Sequence, residues 1–411
     1  MKKYLIENFG FGDAEIIRQL EKIILLKVKP LESKVWPLVL SYFRNLTVEI
    51  SMDKTEKLRL IMKEKDIDLI VLSPGANLNW LLNFNPHADE RPLLFFLTQS
   101  GSAFLMPELE AESARQHTDI KFYNWSDASG PLSSIDSLLN DLKGFSARTI
   151  VIDDTMRADH AAIVQDKLLN SNRLFTASTI GALRMQKDAT EQHILTLNAH
   201  QADTAMEMAW AKINVGMKEE EVASVIKKSF SDQGASPQFS IVAAGSNSAF
   251  PHHQTGSTEL KEGDVIVIDL GGKFEGYASD ITRMACVGSP PTDYSLVHQI
   301  VEDSVCAALT AAMPGQIAKN VDKAARDVIE KAGFGEYFVH RTGHGLGSEI
   351  HEPPFITSTS ETILEPGMVF SIEPGIYIPN KFGVRLEEIV ILEKHGPVVL
   401  SKLSRKLKIL N

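Results

Sequence analysis

LKEGDVIVIDLG at residues 260–271 places an acid, Asp269, in a run that otherwise reads as apolar β-strand. A second acid, Asp280, follows in SDITR (279–283), again where a core strand is expected. Residues on a strand alternate faces, so Val265, Val267 and Asp269 share one side. GGKFEGY (271–277) supplies turn residues, and the chain returns through 278–287 as the partner of a hairpin. In that hairpin Asp269 and Asp280 are expected nearly opposite each other. Directly opposed Cβ atoms lie roughly 4.5–5.5 Å apart, a separation at which like charges repel. Something cationic belongs between them.

The same pattern recurs 104 residues later in LEPGMVFSIEPG (364–375). Leu260 aligns with Leu364, Gly263 with Gly367, Val265 with Val369, Ile268 with Ile372 and Gly271 with Gly375, so that Asp269 falls on Glu373. A weaker echo lies upstream, where VGMKEEEVASVI (215–226) and PGQIAKNVDKAA (314–325) each set a turn glycine before an amphipathic helix. Two helix-then-hairpin halves imply a pseudo-two-fold domain with acids converging at its centre. The second hairpin carries Glu373 and, across a turn rich in Pro, Asn and Gly, Glu387 in GVRLEE (383–388).

Four inward carboxylates in a low dielectric raise one another's pKa values or are neutralised by metal. Two divalent ions carry the matching charge. His344 in HRTGHGLGSEIHE (340–352) is the candidate nitrogen ligand, because flanking glycines let backbone approach and leave the imidazole unobstructed. One His with four carboxylates is a hard, oxygen-rich set that favours manganese over a cysteine-type zinc site, with cobalt or zinc as alternatives.

The rest of the chain sets the frame. Its 411 residues, 44% hydrophobic and 23% charged, can bury a sizeable core in two or three domains. A formal charge of −11 without a Lys/Arg cluster argues against nucleic acid as the partner. Cys286 and Cys306 are too few for a disulfide framework and suit a reducing compartment. No signal-peptide core or membrane span develops, so a cytoplasmic protein is expected. Residues 1–51, with a helix expected over 13–28, read either as an accessory extension or as a start codon placed too early. Residues 52–180 alternate helices with short apolar strands (IDLIVLS, PLLFFLT, GSAFLMP, TIVID), as an α/β domain does. IGALRMQKDATEQ (180–192) is the connector, and residues 181–411 form the catalytic domain.

Taken together, these residues resemble those of the pita-bread metallopeptidases, the family of prolidase, aminopeptidase P and methionine aminopeptidase. The resemblance covers about residues 53–411 and is most specific between Pro251 and Glu388. It implies an α/β N-terminal domain followed by an α+β pita-bread (creatinase/aminopeptidase-like) catalytic domain. It also implies five metal ligands, Asp269, Asp280, His344, Glu373 and Glu387, with Asp280 and Glu387 bridging two ions. AFPHHQ, GHGLGSEIHE, SIEPGIYIP and GVRLEE, together with the N-terminal domain, favour the prolidase and aminopeptidase P branch. His252 and His351 match the family's substrate-contacting histidines, and Arg385 matches the arginine before the last ligand; His253 is read as a surface residue. Two departures stand out. Ser348 takes a position usually apolar in the family. No arginine lies between Glu352 and Val384, where archaeal- and human-type prolidases place one to hold a dipeptide's carboxylate; Phe355 and Lys381 are the notable residues there.

The implied activity is hydrolysis of Xaa-Pro bonds by a metal-bridged hydroxide, with Glu373 moving the proton and His252 stabilising the oxyanion. Small peptides with proline second are the implied substrates, and a homodimer is the implied assembly. The reading leans to a dipeptidase. The alternatives are an aminopeptidase P acting on longer peptides, a metal-free binding module or hydrolase, and a lyase on the same scaffold.

Overall fold

The computed structural model describes residues 53–410; the segment 1–51, with its expected helix, lies outside the described residues. From Leu58 onward the chain packs as one compact unit.

Its first part is a six-stranded mixed sheet, ordered β4-β3-β2-β1-β5-β6. The strands are β1 (Leu69–Leu72), β2 (Leu94–Leu97), β3 (Ser102–Pro107), β4 (Lys121–Trp125), β5 (Thr149–Ile152) and β6 (Asn172–Phe175). Helices α1 (Lys54–Glu64), α2 (Ala76–Leu82), α3 (Glu108–Ala114), α4 (Leu132–Asp141) and α5 (Ala158–Lys167) cover it. Strand β1 reads LIVL and is buried throughout, as a strand covered on both faces must be. Ile70 and Leu72 pack with Leu58 and Met62 of α1, whereas Leu69 and Val71 pack with Ile135, Leu138 and Leu139 of α4.

A short helix α6 (Ile180–Met185) leads to the long α7 (Ala189–Trp210). Asp188 caps α7 by accepting the Thr190 and Glu191 N–H groups, both at 2.9 Å, while Glu191 accepts the Asp188 N–H at 2.8 Å. The first half of the second part then runs α8 (Glu219–Asp232), β7 (Ser236–Ala244), β8 (Val265–Phe274), β9 (Tyr277–Ala278) and β10 (Ile281–Val287). The second half runs α9 (Tyr294–Ala311), α10 (Ala318–Lys331), β11 (Gly343–Gly345), β12 (Glu352–Ile356), β13 (Val369–Ile372), β14 (Gly375–Ile378), β15 (Phe382–Arg385), β16 (Glu388–Glu393) and β17 (Gly396–Val399). The final strand, β18 (Lys408–Leu410), returns to pair with β10.

The internal repeat is visible in the backbone hydrogen bonds. Gly216 N–H donates to Leu260 O and Gly315 N–H to Leu364 O, each at 2.8 Å. Gly263 N–H reaches Val287 O and Gly367 N–H reaches Leu392 O, again at 2.8 Å. Strand β8 shows what this arrangement does for the acids. Ile266, Ile268 and Leu270 pack on α7 and α8, while Val265 and Val267 pack on the other face with α9, α10 and the second half. Asp269, on the face of Val265 and Val267, therefore points between the halves.

The register corrects one expectation. Asp269 pairs with Thr282, not with Asp280. The turn falls at Glu275 and Gly276, with φ 48 and 82, between the paired Phe274 and Tyr277. Asp280 is thus a diagonal neighbour of Asp269 on the same face. In the second hairpin, Ile372 pairs with Glu388 and Gly375 with Arg385, a register that brings Glu373 and Glu387 opposite each other in the break between the two ladders.

Candidate metal centre

Asp269 comes from β8, Asp280 from the residue before β10, His344 from β11, and Glu373 and Glu387 from the break in the second hairpin. Their ligand-capable atoms form overlapping groups, each within 4.8 Å: Asp269 with Asp280 and Glu387, and His344 with Glu373 and Glu387. A third group joins Asp280, His344 and His351. Glycines are required around His344. A Cβ on Gly343 would collide with the Ser371 carbonyl oxygen, and one on Gly345 with that of Pro353.

The hydrogen bonding leaves specific atoms facing inward. His344 Nδ1 lies 3.1 Å from Gly345 O, which can only accept, so Nδ1 donates there and Nε2 is the nitrogen left facing the carboxylates. That nitrogen lies 3.1 Å from Glu373 Oε1 and 3.7 Å from Asp280 Oδ2. Three electron-rich atoms at these distances call for a proton or a cation among them. Ser371 Oγ accepts the His344 N–H at 2.9 Å and donates to Glu373 Oε1 at 3.0 Å. Thr282 Oγ1 donates to Glu387 Oε2 at 2.9 Å, while Glu387 Oε1 and Asp269 Oδ1 are buried with no partner.

Burial, and then the charge of Glu387, pushes Asp280 well above the usual carboxylate range. Glu387 is pushed up likewise by burial and then by Glu373. Burial also raises Asp269, against the pull of Arg385. Burial acts on Glu373 in the same sense, but the hydrogen bond and charge of His344 outweigh it and hold this carboxyl down to about 2. Orphaned oxygens, mutual repulsion and an inward imidazole nitrogen together fit divalent cations.

The cluster forms the floor of a cavity of about 610 Å³. His252 and His351 line it, both exposed. The His351 ring meets His344 edge-on at 4.1 Å, and burial, then the charges of His344 and Arg341, lower its pKa to about 4. His253 is not the surface residue expected from the sequence. Its Nε2 lies 2.8 Å from Oε2 of Glu219, a fully buried carboxylate at the start of α8 that also accepts the Ala244 N–H at 2.9 Å.

Residues 195–394 match the model of metallopeptidase family M24, and residues 54–186 that of the creatinase/prolidase N-terminal domain. The probable dipeptidase PepE of Mycobacterium tuberculosis is 35% identical over 349 residues, 82% of this chain and 91% of that protein. The Xaa-Pro dipeptidase of Pyrococcus furiosus is 34% identical over 358 residues, 86% of this chain and 99% of that one. This chain belongs to metallopeptidase family M24. A dipeptidase crystal structure from Pyrococcus horikoshii superimposes on the M24 chain with a TM-score of 0.81 at 36% identity, covering 87% of it and 100% of the other. The fold is the pita-bread fold with a creatinase-type N-terminal domain, and the family's chemistry depends on divalent metal ions.

Three features of this metallopeptidase site escape the sequence. Arg385, read as a substrate-binding residue, spends its guanidinium on protein partners. It donates to Asp269 Oδ2 at 2.7 Å, Tyr377 Oη at 2.9 Å, Thr282 Oγ1 at 3.1 Å and Pro251 O at 3.2 Å. His340, a half-buried residue of the cavity wall, has Nδ1 2.7 Å from Arg341 O and Nε2 2.8 Å from the Tyr377 hydroxyl. Arg341 lines the cavity itself. Both residues stand in the same HRTGH run as His344 and could have been flagged there.

Proposed function

We propose that this M24 metallopeptidase hydrolyses Xaa-Pro peptide bonds and acts as an Xaa-Pro dipeptidase. The observation that carries the reading is the convergence of Asp269, Asp280, His344, Glu373 and Glu387 on one cavity floor, with inward atoms that lack protein partners. The names of its relatives point the same way.

In this reading Asp269, Asp280, Glu387, His344 and Glu373 would hold two divalent ions between them. Manganese suits the donor set, with cobalt or zinc as alternatives. Such ions, when bound, supply Lewis acidity and lower the pKa of water from about 15.7 towards 7. Glu373 is the most exposed of the four carboxylates, at 16%, and would take the water proton and pass it to the leaving nitrogen. His252, at the cavity wall, donates to the oxyanion of the scissile carbonyl. A proline nitrogen carries no hydrogen, so recognition falls to ring shape against Phe239, Ile241 and Ile350, with His351 beside the ring. Arg385 acts as a positioning residue, through Asp269 and Pro251. We also assign a division into domains at residue 181, a homodimeric assembly and a cytoplasmic location. No described helix is long and apolar enough to cross a membrane.

The test is incubation of the manganese-loaded enzyme with Xaa-Pro, Xaa-Pro-Yaa and Xaa-Ala peptides. Cleavage of Xaa-Pro alone is expected. Cleavage of the tripeptide makes the enzyme an aminopeptidase P, and preference for Xaa-Ala overturns the proline reading.

A further inference from the structure

The cavity wall carries two guanidinium groups, and they are not equivalent. Arg385 is buried and hydrogen-bonded to four protein groups. Arg341 is half-buried, and among the described residues its side chain donates no hydrogen bond and meets no carboxylate within ion-pair distance. Its guanidinium carbon lies over the Phe355 ring, 4.8 Å from the centroid. Stacking uses the face of the planar group and leaves its N–H edge free to donate. Burial pulls the Arg341 pKa down, and the charge of Glu373, beyond ion-pair distance, only partly offsets it. A half-desolvated cation with free donors in a cavity is placed for an anion that arrives with a ligand.

The charge layout says where that anion belongs. The four carboxylates, which would hold the ions, gather at the floor, where the scissile bond sits in the reading above. Arg341 lies on the His351 side and lowers the pKa of that imidazole. We infer that Arg341, held flat by Phe355, binds the free α-carboxylate of the substrate and thereby sets its length at two residues. The inference rests on the peptidase reading above. A dipeptide cut over the floor ends one residue beyond the scissile bond, so its carboxylate falls at the wall that carries Arg341. One more residue moves the carboxylate by roughly 3.5 Å, past a guanidinium that the stack holds in place. Arg341 and Arg385 are the arginines that line the cavity among the described residues, and Arg385 is committed to protein partners, so Arg341 is the guanidinium left for the ligand.

The test compares Ala-Pro with Ala-Pro amide in the wild type and in Arg341→Met and Arg341→Lys. The wild type is expected to favour the acid at least tenfold in kcat/KM, mostly through KM. In Arg341→Met that ratio falls to about one, and Arg341→Lys keeps part of it. Calorimetric binding of Ala-Pro to the chelator-treated protein weakens in parallel, a readout that does not depend on turnover. Equal use of acid and amide by the wild type overturns the inference and leaves Xaa-Pro hydrolysis standing, as does an acid preference that survives Arg341→Met. Failure of the metal-loaded wild type to cleave any Xaa-Pro peptide overturns the peptidase reading and this inference with it.

Discussion

Asp269 Oδ1 and Glu387 Oε1 are buried oxygens without a protein partner, and Asp280 lies within 4.8 Å of both residues' ligand atoms. A side chain that repels its neighbours in the bare protein and binds a cation in the loaded one has opposite effects in the two states. Asp280→Asn is therefore expected to raise the melting temperature of chelator-treated protein at pH 8 by a few degrees, from about 1–2 kcal/mol of relieved repulsion. The same change removes most of the stabilisation that added manganese gives the wild type. Scanning calorimetry with and without metal checks both signs. Glu373→Gln keeps the shape of the base and removes its function, and is expected to lower kcat by about 10²–10⁴-fold. Stopped assays with a dipeptide at saturation measure that loss. At this scale the sequence shows the four acids through their repeated hairpins, because a carboxylate in an apolar strand is conspicuous, and the imidazole through its flanking glycines. It does not show Arg341 or Glu219. Neither interrupts a pattern: one stands in a glycine-rich run, the other in an acidic helix start that reads as solvated.

Between elements, a buried ion cluster ties α6 to β12. Arg184 donates to Ser348 Oγ and Glu349 at 2.8 Å and to Glu352, and Lys187 Nζ lies 2.8 Å from Glu352 Oε1. Arg184 also reaches Asn77 of α2 at 2.6 Å, so the cluster joins the first sheet's helices to the loop carrying His351. Ser348, which departs from the apolar residue usual in the family, is here a hydrogen-bond acceptor for Arg184. Burial alone would raise the Glu352 carboxyl, but Lys187 and Arg184 together bring it below its ordinary 4.5. A depressed carboxylate contributes stability that is fully present above its unfolded value and is lost as pH falls through the folded one. Glu352→Gln is thus expected to cost about 3–5 kcal/mol at pH 7, with the difference from wild type shrinking below about pH 4.5. Denaturant melts across pH 3–7 test it. The alternation in β8 and the hairpin were legible from residue type alone. The register was not, because GGKFEGY offers several turn positions and only the left-handed Glu275–Gly276 pair places Asp280 diagonally to Asp269. Strands β4 and β6 lack a run of buried apolar residues and gave no strand signal.

For the whole molecule, the duplicated helix-and-hairpin unit explains why the acids meet. Each half supplies an inward carboxylate at the same strand position, and the pseudo-two-fold arrangement turns two sequence-distant hairpins into one cluster. The bound ions are then part of the fold's stability as well as its chemistry, since they offset repulsion that the protein alone leaves in place. The most direct measurement is metal stoichiometry. Chelator-treated protein is titrated with manganese by equilibrium dialysis, with elemental analysis of wild type and Asp280→Asn. Two ions per wild-type chain and at most one in the variant are expected; wild-type protein that stays folded and binds less than one ion per chain contradicts the account.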